Sequence, residues 1–426
     1  MFSHRSSLAS KLQQNASKFL ASRKRSAIAV ARLSTNNIPM IPKELPPRLA
    51  SPTNAKVVEL PPEVIDAIID YLHDDKYALL TCALVSPKWI PRSRYHFLYE
   101  LTLEPEDALA FCSLSQDLYS TIPRFVRSLT LKDGILTLYW SSSALSHLAH
   151  CKFTSLEDLC IDRAWFDLDE SAITSMCHGF ASIKTLKLHD VSFTSIAHLA
   201  QLVCSLPLLE SLSLRANLED ETATCPPSYC LPESLNTLTM RWSNACIVDW
   251  LVSERSIHGL RRVYLDFAYP ALIPGAATLL RAVGSSLQQL SLVMPKTGPT
   301  FTDTEIDLTY NTRLRALTLS LTLIDSRKRS HAQYWLPHFL AHSLSRRTEV
   351  LTLRVRCESA ADFDDYWPDL REVLANPTLV RLRAVQFVVC GPSEIEPRVR
   401  ASLPQCDAKG LLRVQCVSAA AEASYQ

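Results

Sequence analysis

Two histidines four residues apart on a helix can aim both imidazoles at one metal ion. His338 and His342 have that spacing, but no glutamate follows His338 in an H-E-x-x-H arrangement and no third ligand is evident. His147 and His150 fail in the same way. Cys225 and Cys230 frame Pro-Pro-Ser-Tyr without the second pair that a zinc site needs. Asp362, Asp364, Asp365 and Asp369 gather enough oxygen for calcium, yet their spacing better suits the exposed start of a helix. Neither G-x-S-x-G nor a phosphate-binding glycine loop occurs. The sequence therefore predicts no catalytic residue, no metal and no cofactor, and function falls to binding surfaces.

The elements that would build such surfaces repeat. An apolar-x-x-apolar-x-apolar pattern starts at Leu98, Val126, Leu156, Ile183, Leu209, Leu235, Leu260, Leu287, Leu314, Thr348, Leu382 and Leu411. Successive starts lie 25 to 34 residues apart, and Thr348 is the weak member because its copy keeps only Leu351 and Leu353. The closing apolar-x-apolar alternates with period two, which puts its side chains on one face of a short strand. After the strands the period changes: Ile196, Leu199, Leu202 and Val203 share a helix face, as do Ile247, Trp250 and Leu251. Strand then helix at a fixed period predicts an α/β solenoid of the leucine-rich-repeat kind, with parallel strands on a concave face and helices on the convex face. A doubly wound enzyme also alternates strands and helices, but it needs a glycine-rich first turn. The chain has only eight glycines, none of them clustered.

Composition bounds the rest. At 426 residues, 47% hydrophobic and 20% charged, the chain can bury a large core. Its net charge of +1 hides an asymmetry: residues 1–43 hold eight basic residues and no acid, leaving −7 for residues 44–426. The acidic body gives no electrostatic case for nucleic acid. Thirteen scattered cysteines without paired spacing or a signal peptide read as reduced thiols in the cytoplasm or nucleus. No apolar run approaches the roughly 20 residues needed to span a bilayer.

Four segments follow: a serine- and proline-containing basic arm (1–57), a helical module (58–97), the repeats (98–417) and a flexible tail (418–426). The acid-free, serine-rich arm reads either as a disordered arm with Ser22-Arg23-Lys24-Arg25-Ser26 as a weak nuclear import patch, or as a mitochondrial transit peptide.

The module reads Leu60-Pro61-Pro62-Glu63 at its start, where prolines and an acid suit a first helical turn. Val64, Ile65, Ile68, Ile69 and Leu72 then fall on one stripe. Asp74 or Asp75 is placed to cap a second helix carrying Leu79, Leu80, Ala83 and Leu84, which Pro87 ends before Trp89. These residues carry a resemblance. The Leu-Pro-x-Glu opening, the isoleucine stripe, Tyr71-Leu72 and Val85-Ser86-Pro87-Lys88-Trp89 together resemble the F-box family over about 40 residues, a module often followed by leucine-rich repeats.

The resemblance implies a non-catalytic substrate receptor. Its F-box would bind the Skp adaptor and through it a cullin–RING ubiquitin ligase, while the repeats would hold an unknown protein substrate. It implies that Leu60, Pro61, Ile65, Ile68, Ile69, Leu72, Leu80, Val85 and Trp89 contact the adaptor or pack the module. The substrate face would comprise the outward strand positions Lys132, Lys187, His189, Arg215, Arg241, Tyr264 and Arg354, with Asp162 and Asp266 among them. Basic residues outnumber acids there, which suits an acidic or phosphorylated segment, and a few repeats supply the roughly 800 Å² a partner needs. One departure stands out. The asparagine usual three residues after the last strand leucine is replaced at Gly134, Ala164, Val191, Ser243 and Ala268, leaving only Asn217. The alternative is a repeat scaffold without ligase engagement, targeted to mitochondria if the arm is a transit peptide.

Overall fold

A computed structural model describes residues 60–115, 120, 122–132, 142–163, 170–220, 229–241, 245–253, 255–266, 273–294, 306–323, 332–344, 346–357, 367–376, 379–392 and 394–417. The basic arm, the tail, Cys225 and the aspartates at 362, 364 and 365 lie outside them.

The module is three helices: α1 (Pro62–Tyr71), α2 (Lys76–Val85) and α3 (Ile90–Tyr99). Asp75, one of the two expected caps, takes the role: its carboxylate accepts from the Ala78 amide at 2.9 Å. A single 3-10 turn, Pro87–Trp89, separates α2 from α3, and α3 runs directly into the first strand.

From there the strands follow in order, with a helix described between most neighbours but not between β5 and β6 or β8 and β9 as numbered below. The strands are β1 (Glu100–Leu103), β2 (Ser128–Lys132), β3 (Asp158–Asp162), β4 (Thr185–Ser195), β5 (Ser211–Asp220), β6 (Thr237–Arg241), β7 (Arg262–Asp266), β8 (Gln289–Val293), β9 (Ala316–Leu323), β10 (Val350–Cys357), β11 (Ala384–Cys390) and β12 (Leu412–Val417). They form one sheet of 12 strands in sequence order, and every pairing is parallel. Between them lie α4 (Pro105–Ser115), α5 (Ser142–Ala149), α6 (Glu170–Gly179), α7 (Ile196–Cys204), α8 (Ala245–Ser253), α9 (Ile273–Val283), α10 (Ala332–Ser343), α11 (Trp367–Leu374), α12 (Ile395–Ser402) and α13 (Pro404–Ala408).

Every crossover advances one strand in the same direction. Right-handed connections therefore place the helices on one face and leave the other open. A helix is about 10 Å wide while strands sit about 4.8 Å apart, and that mismatch curves such an array with its strands inside. The repeat leucines fill the helix-side layer: Leu129, Leu131, Leu186, Leu188, Leu212, Leu214, Leu317 and Leu319 are fully buried. Ile196, Leu199, Leu202 and Val203 of α7 join them, as do Ile247, Trp250 and Leu251 of α8. Thr348 occupies its buried position too, at 0% exposure, so the weak copy keeps the shape of the pattern without its hydrophobicity.

Register holds the array at the strand starts. The Arg127 carbonyl accepts from both Glu157 and Asp158 amides, at 2.9 and 3.0 Å. The Lys184 carbonyl does the same for Glu210 and Ser211 at 2.8 and 2.9 Å, and the step recurs through Glu349, which accepts from Arg383 and Ala384. These are backbone bonds at the strand starts, distinct from the side-chain asparagines that follow the strands in regular repeats. Asn217, the residue that matched their position, is exposed on an elongated β5. Asn311 is instead the buried amide: its Nδ2 donates to the carbonyls of Leu280 and Gly284, both at 2.9 Å, and so closes the end of α9.

One expectation needs correction. The twelfth copy does not start at Leu411: Val385 pairs with Leu412 and Phe387 with Val414, so the copy lies two residues earlier and Cys416 is exposed. The apolar spacing misled because Leu411 and Leu412 are adjacent and both fit a leucine position. The isoleucine stripe of α1 is one contiguous stripe, part buried and part exposed.

Candidate functional site

Two surfaces result from these elements. On the module, Ile65, Ile69 and Leu79 form the buried core, with Leu72, Trp89 and Phe97 packed against it. Leu80 is half-buried. Leu60, Pro61, Val64, Ile68, Leu84 and Val85 are exposed. The stripe on α1 thus divides: Ile69 is 0% exposed, while its neighbour Ile68 is 39% exposed. A helix turns 100° per residue, so a stripe as wide as Val64–Ile65–Ile68–Ile69 outruns a core this small. Of the twelve large hydrophobic side chains exposed among the described residues, eight lie between Leu60 and Tyr99. Among the described residues the exposed large apolar side chains are therefore concentrated on the first helices, a mark of a contact site.

Polar bonds hold that surface in place. Asp70 on α1 accepts from Arg92 Nε and Nη2 at 2.5 and 2.7 Å, and its Oδ1 lies 2.6 Å from His96 Nε2. The two α3 side chains, Arg92 first, hold the Asp70 carboxyl down at about 2. Lys76 Nζ donates to the Glu100 carbonyl at 3.0 Å, tying α2 to β1.

On the open face of the sheet, register aligns Lys132, Asp162, His189 and Arg215 on consecutive strands, and Arg241 beside Asp266. Lys187 and Tyr264 stand one position earlier in the outward alternation, and Arg354 is exposed on β10. The Arg241 guanidinium lies 5.4 Å from the Tyr264 ring centroid. Burial, opposed by Asp162 and reinforced by Arg241, Arg215 and Lys187, pushes the His189 pKa down and favours the neutral ring. Burial pushes Asp266 up, with Arg241 and Arg215 opposing.

A residue missed in the sequence changes the charge of this face. Register shifts between His189 and Val191, leaving Asp190 as an extra residue at φ 53°. Its carboxylate takes both Nε and Nη2 of Arg215. The basic excess expected here is thus reduced, because Arg215 is engaged within the chain. Asparagine or aspartate after a strand is a signal for such left-handed residues, and Asp190 carries it.

The histidine pairs stay local. His342 Nδ1 is 2.8 Å from the His338 carbonyl, and His150 Nδ1 is 2.6 Å from the Ser146 carbonyl. The His342 and His150 rings thus bond the backbone of their own helices.

No family model matches the chain, and no curated protein matches it. Among solved structures it is similar to a crystal structure of a protein from Bacteroides fragilis, at 12% identity over 74% of each chain and a TM-score of 0.35. Among the described residues no helix is long and apolar enough to cross a membrane.

Proposed function

We propose that the chain is a non-catalytic substrate-recognition subunit of a Skp–cullin–F-box ubiquitin ligase, whose module binds the Skp adaptor and whose repeats hold a protein substrate. The observation that carries this reading is the exposure of Leu60, Val64, Ile68, Leu84 and Val85 on the module. A module serving only to cap the first repeat would keep a polar outer surface, and this one leaves five large apolar side chains outside its core. The resemblance of Leu60–Trp89 to the F-box pattern supplies the identity of the partner. Holding a substrate beside the charged enzyme is a contribution of proximity and orientation, and needs no reacting group on this chain.

Co-purification with the Skp adaptor tests the reading, comparing the native chain with Leu60→Ala/Pro61→Ala. The native chain is expected to retain the adaptor and the double variant to lose it; equal binding or none in both removes the ligase from the account. What would then remain is a repeat scaffold whose module caps the sheet.

A further inference from the structure

The starts of the strands carry a charge pattern that neither surface uses. Take the five residues ending at the first paired position of each strand. Before β2 to β6 these windows hold three basic and four acidic residues, net −1. Before β7 to β11 they hold eight arginines, one glutamate and no lysine, net +7. All eight arginines are exposed. The contrast falls within one sheet whose backbone geometry repeats, and the chain outside the basic arm is net negative, so the basic edge is local.

Register turns this into an ordered array. Arg313, Arg347 and Arg381 stand three residues before the aligned positions Ala316, Val350 and Ala384 on neighbouring strands. Arg315 and Arg383 stand one residue before the same positions, so Arg313 and Arg315 flank buried Leu314 while Arg381 and Arg383 flank buried Leu382. The buried residue is the anchor and its two neighbours point outward. In the first half, the equivalent residues pair among themselves: Arg127 Nη1 lies 2.6 Å and Lys184 Nζ 3.7 Å from the Glu157 carboxylate. In the second half, Arg261, Arg313, Arg315, Arg346, Arg381 and Arg383 make no ion pair among the described residues.

We propose that this arginine edge, two arginines at the start of β7 and of each of β9, β10 and β11 with none at β8, docks an extended acidic polypeptide segment, with carboxylate or phosphate side chains as the groups recognised. The planar guanidinium fork grips either group through two parallel bonds, which a lysine cannot do. Four strand steps of about 4.8 Å span about 19 Å, the length of some six extended residues. None of the twenty-five window positions is Phe, Trp or Tyr. Among the described residues an exposed aromatic, Tyr310, does stand three residues before Arg313; one ring is not the row of stacking platforms that single-stranded nucleic acid uses, and a protein segment is the better fit. The inference rests on the substrate-receptor reading and moves the substrate contact from the open face to the strand starts.

The test is direct binding of fluorescein-labelled 12-residue peptides to the full chain, read by anisotropy at two salt concentrations. The probes are an alternating Glu-Ser peptide, its phosphoserine form, a Gln-Ser control and a 12-nucleotide poly-uridine. The acidic peptides should bind, the control should not, and Arg313→Glu/Arg347→Glu/Arg381→Glu should weaken binding at least about tenfold. Circular dichroism checks that the variant keeps its fold. A stronger response to the phosphoserine form names phosphate as the recognised group; a stronger response to the Glu-Ser peptide names carboxylate. Failure of both acidic peptides, an unchanged triple variant or tighter poly-uridine binding each overturns the proposal. Adaptor co-purification of the same variant separates the two claims: retained adaptor with lost peptide tests the edge alone, and peptide binding without adaptor leaves the edge standing while the ligase reading fails.

Discussion

Asp70 on the first helix of the module is gripped by Arg92 on the third through two parallel bonds of 2.5 and 2.7 Å. The carboxyl is held at about 2, below its ordinary 3.8, so the folded module favours the ionised form. That contribution is complete above about pH 4 and disappears as pH falls towards 2. Asp70→Asn should destabilise the module by about 1 kcal/mol at neutral pH, since the pair is partly exposed, and should flatten its acid unfolding between pH 4 and 2. Thermal melts followed across that range measure both effects.

Ile68 and Ile69 are adjacent in sequence and opposite in consequence. Ile69→Ala removes a fully buried side chain and should cost about 2–5 kcal/mol in denaturant unfolding. Ile68→Glu should leave the unfolding midpoint within about 0.5 kcal/mol of the native chain and abolish adaptor binding. A stable Ile68→Glu chain that still pulls down the adaptor would take that face out of the interface.

Asp190 has the left-handed backbone that glycine adopts without cost, and its carboxylate engages Arg215. Asp190→Ala loses the ion pair and keeps the backbone strain, whereas Asp190→Gly loses only the pair. The glycine variant should be the more stable of the two by about 1 kcal/mol in urea unfolding. The reverse order would mean that the strand irregularity is not held by this residue.

Gly179 ends α6 directly against α5. A Cβ there would sit 2.2 Å from the Ala149 carbonyl oxygen and 2.6 Å from its Cα. Backbone cannot step aside as a side chain can, so Gly179→Ala should destabilise the repeats by about 1–3 kcal/mol. Calorimetry of the full chain would register the lowered transition.

The strands were legible because two buried leucines, two residues apart, recur with polar partners that point outward. Helices were legible where four apolar residues shared a face, as in Ile196–Val203. What the sequence hid was the division of labour within a stripe: Val64, Ile65, Ile68 and Ile69 look alike as letters, and only the small size of the module core decides which two stay outside. Asp190 was hidden for a different reason. Its role depends on one extra residue in β4, and a register shift leaves no mark in an apolar pattern. The arginine edge was hidden by distance, since Arg313, Arg347 and Arg381 are 34 residues apart in sequence and adjacent only through pairing.

The carbonyl ladder at the strand starts runs from Arg315 to Glu349 to Arg383 without a break, across the two longest repeats of the chain. Strands β9 and β10, eight residues each, are longer than most, and the ladder still keeps its step, so the spacing of the strand starts does not depend on repeat length. The strand starts therefore work as a ruler. Insertions that lengthen a repeat can diversify the outer contour of the molecule while the graduations of the ruler, and any chemistry mounted on them, stay where they are.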